Sequence, residues 1–330
     1  MSPSPRIQTV SAIERGRSCL GFVIKATAFL AVALIFTETF WRSLRYLPAG
    51  SDLRHFARLR KAADGDREAV ALLGSSRVRY GLNPEVLARA VPGWHFHQLG
   101  ILGNAPMPVL EDLANDPSFQ GRVICELNPE QWGGGYPFTK IPEALAYTHA
   151  EASGAYLETI LGEQFREHAS FFSYNLLTEA PRILQRRPVP EPERPDRFVR
   201  FQDLGPAVNE PLIHNWERGT LESADRIRRA GYARITQEAM RWVERIRRRG
   251  GDVAFVRMPV DGRLRVVEES AFPHTQGLIR DIRARGMVVI DFAEMPTHFR
   301  CPDGSHLEAS EADRFSQRLA NDLAATGLFH

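Results

Sequence analysis

Residues 69–90 read AVALLGSSRVRYGLNPEVLARA: a short apolar run ends on Gly74-Ser75-Ser76, and a second segment opens with Asn83-Pro84. Ala69 to Leu73 has the length of a strand and no polar alternation, which fits a parallel strand covered on both faces. Asn83 is a helix-capping residue type, and Pro84 suits the first helical position. Strand, turn and helix therefore follow one another. The glycine and two serines fall where open parallel sheets bind ligands, at a strand's carboxyl end.

The same grammar recurs outward from this stretch. Trp94 to Leu99 predicts a second strand, ending in Gly100-Ile101-Leu102-Gly103-Asn104 and followed by a helical stretch around Pro108 to Asn115. Val123 to Leu127 predicts a third strand, ending in Asn128-Pro129. Val253 to Val256, reaching Arg257, and Met287 to Phe292 predict the fourth and fifth. One long amphipathic helix is expected over residues 222–249, with Ile235, Ala239, Trp242, Val243 and Ile246 on one stripe, and a closing helix over 308–325. Strands separated by helices indicate an α/β domain with a mostly parallel sheet. Between residues 133 and 221 the alternation lapses. Gly133-Gly134-Gly135 opens that region and a proline run from Pro188 to Pro195 interrupts it, so it reads as an insertion able to cap or line a site.

The N-terminal part divides differently. Residues 1–18 form a tail and residues 42–67 a polar, helix-prone connector to the α/β domain at 68–330. Between them, Cys19 to Trp41 reads CLGFVIKATAFLAVALIFTETFW, about the length a bilayer core requires of a helix. Lys25 can snorkel near one end, and Phe40 and Trp41 suit the interface at the other. A signal anchor is the reading. A cleaved signal peptide, with Ala31-Val32-Ala33 as its cleavage site, is the competitor, but Leu34-Ile35-Phe36 would make a poor mature N-terminus. Basic residues flank both ends: Arg6, Arg15 and Arg17 before the span, Arg42, Arg45, Arg54, Arg58, Arg60 and Lys61 after it. That count alone would keep the large domain in the cytoplasm, although long domains translocate despite such charges.

The chain of 330 residues is 43% hydrophobic, enough for a full core. Lys+Arg of 42 against Asp+Glu of 40 leaves a formal charge of +2, so no overall field points to nucleic acid. The run around Arg245 and Arg247-Arg248-Arg249 reads as the solvated end of an amphipathic helix. Cys19, Cys125 and Cys301 cannot all pair, and their spacing fits neither zinc nor a disulfide framework. His95 and His97 share one face of a strand, yet no third ligand follows at a metal-binding spacing, so packing or surface histidines are the reading. Arg257 fits either an anion contact or a structural salt bridge, and Glu126 a buried, paired carboxylate.

The chemistry-bearing pattern closes near the C-terminus with CPDGSHLEASEADRF, residues 301–315. Asp303 and His306 are three apart, a spacing at which one turn holds both side chains on one face. A serine hydroxyl is a weak nucleophile until a base removes its proton, and an imidazole is such a base when a carboxylate fixes its tautomer. Ser76, His306 and Asp303 suit those three roles. The Ser76 N–H, the Gly103 N–H and the Asn128 side chain are the candidate oxyanion donors.

Taken in order, these blocks resemble the SGNH, or GDSL-type, hydrolase superfamily. Gly74-Ser75-Ser76 is similar to its first block, with Ser75 in place of the usual Asp; Gly103 to the second; Asn128 to the third; and Asp303-Gly304-Ser305-His306 to the closing Asp-x-x-His. Arg77 after the serine, together with the anchor, resembles the membrane-anchored branches that acylate cell-envelope polymers. The resemblance covers about residues 68–132 and 250–325. It implies a three-layer α/β/α, flavodoxin-like domain behind one transmembrane helix, on the periplasmic or extracellular side of an inner or plasma membrane. It also implies serine-dependent ester hydrolysis or O-acyl transfer through a Ser76 acyl-enzyme. The substrate would be an acylated small molecule or polysaccharide, with a membrane acyl-transfer partner possible and no metal or organic cofactor required. Two competing readings are a protein using Gly74 to Ser76 as an anion nest and a catalytically silent envelope scaffold that binds glycan.

Overall fold

The computed structural model describes residues 10–44, 52–132, 140–149, 161, 162, 165, 168–170, 174, 176–185, 194, 196–230, 232–295 and 297–329. Two compact units divide the chain: Met1–Gly50 with Ile160–Pro192, and Ser51–Thr159 with Glu193–His330. The run Gly133-Gly134-Gly135 and most of Pro188 to Pro195 lie outside the described residues.

The larger unit is built on five strands, β1 (Ala69–Leu73), β2 (His95–Gln98), β3 (Arg122–Glu126), β4 (Asp252–Arg257) and β5 (Val288–Asp291). Every pairing is parallel and the order is β2-β1-β3-β4-β5. The expected α/β class is therefore the observed one. β1 is buried along its whole length, and its alternate residues feed two separate cores. Ala69, Ala71 and Leu73 face a core that includes Leu110, Leu113, Val243 and Ile279. Val70 and Leu72 face another that includes Leu87, Phe315 and Leu319. Helices cover both faces for this reason: a strand with no polar side must bury both.

Local sequence sets most element ends. The turn after β1 leads into α3 (Ser76–Gly81), whose N-cap is Ser75. Asn83 caps α4 (Pro84–Ala90), its side chain accepting from the Glu85 N–H at 3.1 Å. α2 (Asp52–Ala62) precedes β1, α5 (Met107–Asn115) precedes β3, and α6 (Pro129–Trp132) and α7 (Ile141–His149) follow β3.

Two expectations change. The single helix over 222–249 is instead two, α9 (Pro206–Ala230) and α10 (Ala233–Arg248). The arginines ending α10 are not simply solvated. Arg249 donates to the carbonyls of Leu113, Ala114 and Phe119 at 2.8–3.1 Å, so it satisfies the open C-terminal end of α5. The remaining helices are α11 (Gly262–Ala271), α12 (Thr275–Ala284) and the closing α13 (Ala309–Ala325).

The smaller unit holds α1 (Val10–Ser43) and α8 (Leu176–Leu184). Leu20–Ser43 is long and apolar enough to cross a membrane, with a mean hydropathy of 2.2 over its most apolar window. Its large side chains, Phe22, Phe29, Ile35 and Phe36 among them, are exposed.

Candidate active site

The order β2-β1-β3 places the β1 end between those of β2 and β3, the point at which the strand order reverses in flavodoxin-like sheets. The Gly74-Ser75-Ser76 turn lies there. On one side runs the turn Ile101 to Asn104, closed by the Asn104 N–H donating to the Ile101 carbonyl at 3.1 Å. On the other, Asn128 follows β3.

The two serines have different environments. Ser75 is buried, and both its backbone N–H and its hydroxyl donate to Oε2 of Glu126, at 2.7 and 2.9 Å. Gly74 makes that approach possible, because a Cβ at position 74 would lie 2.7 Å from the same oxygen and 2.3 Å from Cγ2 of Val78. Ser76 begins α3, is half-buried, and makes no side-chain hydrogen bond among the described residues. One serine is committed to holding the turn; the other hydroxyl remains available.

Asp303 and His306 meet as their spacing predicts. Oδ2 of Asp303 lies 2.7 Å from Nδ1 of His306, while Oδ1 accepts the backbone N–H groups of Ser305 and His306 at 3.0 and 2.8 Å. Burial acts to raise the Asp303 pKa, but the hydrogen bond and charge of His306 and the two backbone donors outweigh it and hold the carboxyl below its ordinary value. An ionised carboxylate at Nδ1 favours the tautomer protonated on that nitrogen, and Nε2 faces away from Asp303. Nε2 is buried and has no hydrogen-bond partner among the described residues.

Two contacts bring α3 to this pair. Nε of Arg77 donates to the Ser305 hydroxyl at 3.1 Å, and the Arg77 guanidinium is also ion-paired with Glu268. The Tyr80 ring meets the His306 ring edge to face, 4.9 Å between centroids. Ser76 and Tyr80 are four apart on α3, so the helix face bearing Ser76 is the face turned toward His306. Ser76 and His306 are nevertheless not hydrogen-bonded in this conformation. Phe201 and Trp216 complete an aromatic enclosure, at 5.1 and 5.9 Å from the His306 ring. The indole Nε1 of Trp216 is likewise buried without a partner.

The proposed oxyanion donors are split by their surroundings. Gly103 is exposed with φ of +67°, a backbone conformation that favours glycine. Asn128 is buried, and its Oδ1 accepts the Glu130 N–H at 3.0 Å, which orients the amide. Glu126 underlies the whole turn. Burial raises its pKa, opposed by Arg77 and the two Ser75 donors and reinforced by Glu268, with a net upward shift.

The other residues singled out by sequence fall outside this site. Arg257 is buried against Asp291 at 3.5 Å and stacked on Phe292, a structural ion pair. His95 is exposed and bonded to Asp66, while His97 is buried. No group of His, Cys, Asp and Glu able to hold a metal occurs among the described residues. Cys125 and Cys301 are free and buried, and burial pushes both thiols up, which disfavours the reactive thiolate. Sequence reasoning missed the Ser75–Glu126 clamp, although a lone carboxyl ending the apolar strand VICEL was its visible signal. It also missed the rings of Phe201 and Trp216, which nothing local announces.

Fold and site together define an α/β protein with an Asp–His pair beside a strand-end serine. The sequence matches no family model and no curated protein. Among solved structures, it aligns with a protein of Agrobacterium tumefaciens str. C58 to which arylesterase activity is ascribed. That alignment covers 78% of this chain and 98% of the other, at 14% identity and a TM-score of 0.35.

Proposed function

We propose that this protein is a membrane-anchored serine hydrolase or O-acyltransferase of the SGNH type, acting on acyl esters of an envelope or extracellular glycan. The observation that carries the reading is the buried Asp303–His306 hydrogen bond, with Nε2 left unpartnered beside the helix face that bears Ser76. In the reaction, the Ser76 hydroxyl oxygen attacks the ester carbonyl while Nε2 of His306 takes its proton. The tetrahedral oxyanion is held by the N–H groups of Ser76 and Gly103 and the Asn128 amide. Its collapse breaks the bond to the alkoxy group, which leaves with the proton from His306 and yields the acyl-enzyme. Water or a glycan hydroxyl then gives its proton to Nε2 and attacks the acyl carbonyl, and collapse breaks the bond to the Ser76 oxygen, which takes the proton back. Asp303 supports the imidazolium formed in both halves.

Helix α1 is the anchor in this reading, and the large unit lies outside the inner membrane, where envelope glycans are. A C-terminal alkaline phosphatase fusion tests the sidedness. An active fusion supports export, and a stable but inactive one overturns it.

The catalytic reading is tested by hydrolysis of short-chain p-nitrophenyl esters. The wild type should turn over and Ser76→Ala should lose at least ~10³-fold in kcat/KM. One observation favours a silent scaffold instead: the His306 ring packs against three aromatic rings and its Nε2 does not bond Ser76. An inactive wild type that binds glycan with its fold intact would select that alternative.

A further inference from the structure

The unit that contains α1 carries a second set of exposed apolar side chains. Helix α8 reads LLTEAPRIL, and Leu177, Pro181 and Leu184 fall on one face at spacings of four and three. Leu177 and Leu184 are 85% and 83% exposed, and Pro181 is exposed beside them. Leu161 and Phe165, four residues apart, are 58% and 57% exposed in the same unit.

What fixes the level of these residues is the end of α1. Trp41, at the close of the apolar stretch, is buried and packs against Tyr174 with ring centroids 5.8 Å apart. Nη2 of the next residue, Arg42, donates to the His168 carbonyl at 3.0 Å. Residues 168 and 174 are thus fastened to the last turn of α1, and α8 begins two residues beyond Tyr174. A helix that crosses a bilayer ends at the headgroup level, where Trp, Tyr and Arg are favoured. Nine helical residues span only about 13 Å, too short to cross. Starting from a ring held at the interface, α8 has the apolar stripe of a helix that lies in it. The sequence adds Arg182, Arg186 and Arg187, which suit anionic headgroups.

We propose that Leu161, Phe165 and α8 form a second membrane contact, with the Leu177–Pro181–Leu184 face of α8 seated at the headgroup–acyl boundary of an anionic phospholipid bilayer. This rests on the reading of α1 as a membrane span, and it assigns a role to part of the segment that breaks the strand–helix alternation.

The test uses the full chain with Cys19→Ser and a nitroxide at Leu184→Cys, reconstituted in phosphatidylcholine vesicles with and without phosphatidylglycerol. Cys125 and Cys301 are buried and do not compete for the label. Collision with oxygen and with a soluble nickel chelate is measured, with Leu34→Cys in α1 and the exposed Val266→Cys as references. The expected result is nickel accessibility at Leu184 about fivefold below that at Val266, oxygen accessibility above it, and a further shift when phosphatidylglycerol is present. A Leu184 label as open to nickel as Val266, while Leu34 is in lipid, overturns the second contact and leaves the anchor standing. A Leu184 label shielded from both reagents marks a protein partner and also overturns it. A Leu34 label open to nickel overturns the span and this contact together.

Discussion

The carboxyl ends of β1 and β4 lie in one sheet and both carry buried polar groups, yet they are finished in opposite ways. At β4, Arg257 pairs with Asp291 and stacks on Phe292, while Asp291 also accepts from the Gln276 amide and the Ala293 N–H. At β1, polar atoms are left over among the described residues: Nε2 of His306 and Oε1 of Glu126 are buried without partners, and the Ser76 hydroxyl is unbonded. A buried polar atom without a partner costs stability. A fold that satisfies such groups at one strand end and leaves them open at another has structure at the first and a candidate for chemistry at the second.

The contrast can be broken most strongly at Asp303. Asp303→Asn keeps the size of the side chain but loses the charge that fixes the His306 tautomer, so kcat should fall on the order of 10⁴-fold with the fold retained. The same variant carries a pH signature. Because the folded-state pKa of Asp303 is depressed, its contribution to stability is full above the ordinary value of about 3.9 and is lost as pH falls through the folded value. The stability advantage of wild type over Asp303→Asn should shrink on acidification below about pH 4, by chemical denaturation; an advantage that grows there would contradict the assignment.

At the β4 end the effect should appear in stability alone. Arg257→Met leaves Asp291 buried without its cation and should cost about 3 kcal/mol, while esterase kcat, measured where the variant is folded, stays at the wild-type level. A large loss of kcat with little loss of stability would reverse the contrast between the two ends.

The smallest effect is expected at Glu126→Gln. The amide keeps an acceptor for Ser75, so the cost at low pH should be about 1 kcal/mol or less. Glu126 has a raised pKa, so its stabilising contribution is present below the ordinary value near 4.3 and is lost as pH rises through the folded value. The stability of wild type relative to Glu126→Gln should therefore decline as pH rises across that window. A difference independent of pH would show that the buried carboxyl is not perturbed as the geometry implies.

How much of this was legible in the sequence follows from the range of each interaction. β1, its glycine turn and the Asn83 cap are written in consecutive residues, and the Asp303–His306 bond is a three-residue spacing, so local rules reach them. The division of the long amphipathic stretch between Ala230 and Ala233 is hidden by the apolar stripe that continues across it. Arg249 could not be read as the cap of α5, because its partners are about 130 residues away in sequence. The rings of Phe201 and Trp216 come to His306 from a region with no strand grammar at all. Polar contacts made across the sheet, such as Ser75 to Glu126, depend on the β1–β3 pairing, which sequence order does not state.

The central claim is that, of two adjacent serines, Ser76 is reactive and Ser75 is structural. Labelling of the purified protein with a fluorophosphonate probe, with the adduct mapped by peptide mass spectrometry, tests it directly. A single adduct on Ser76 is expected, lost in Ser76→Ala and retained in Ser75→Ala. Equal labelling of wild type and Ser76→Ala would contradict it.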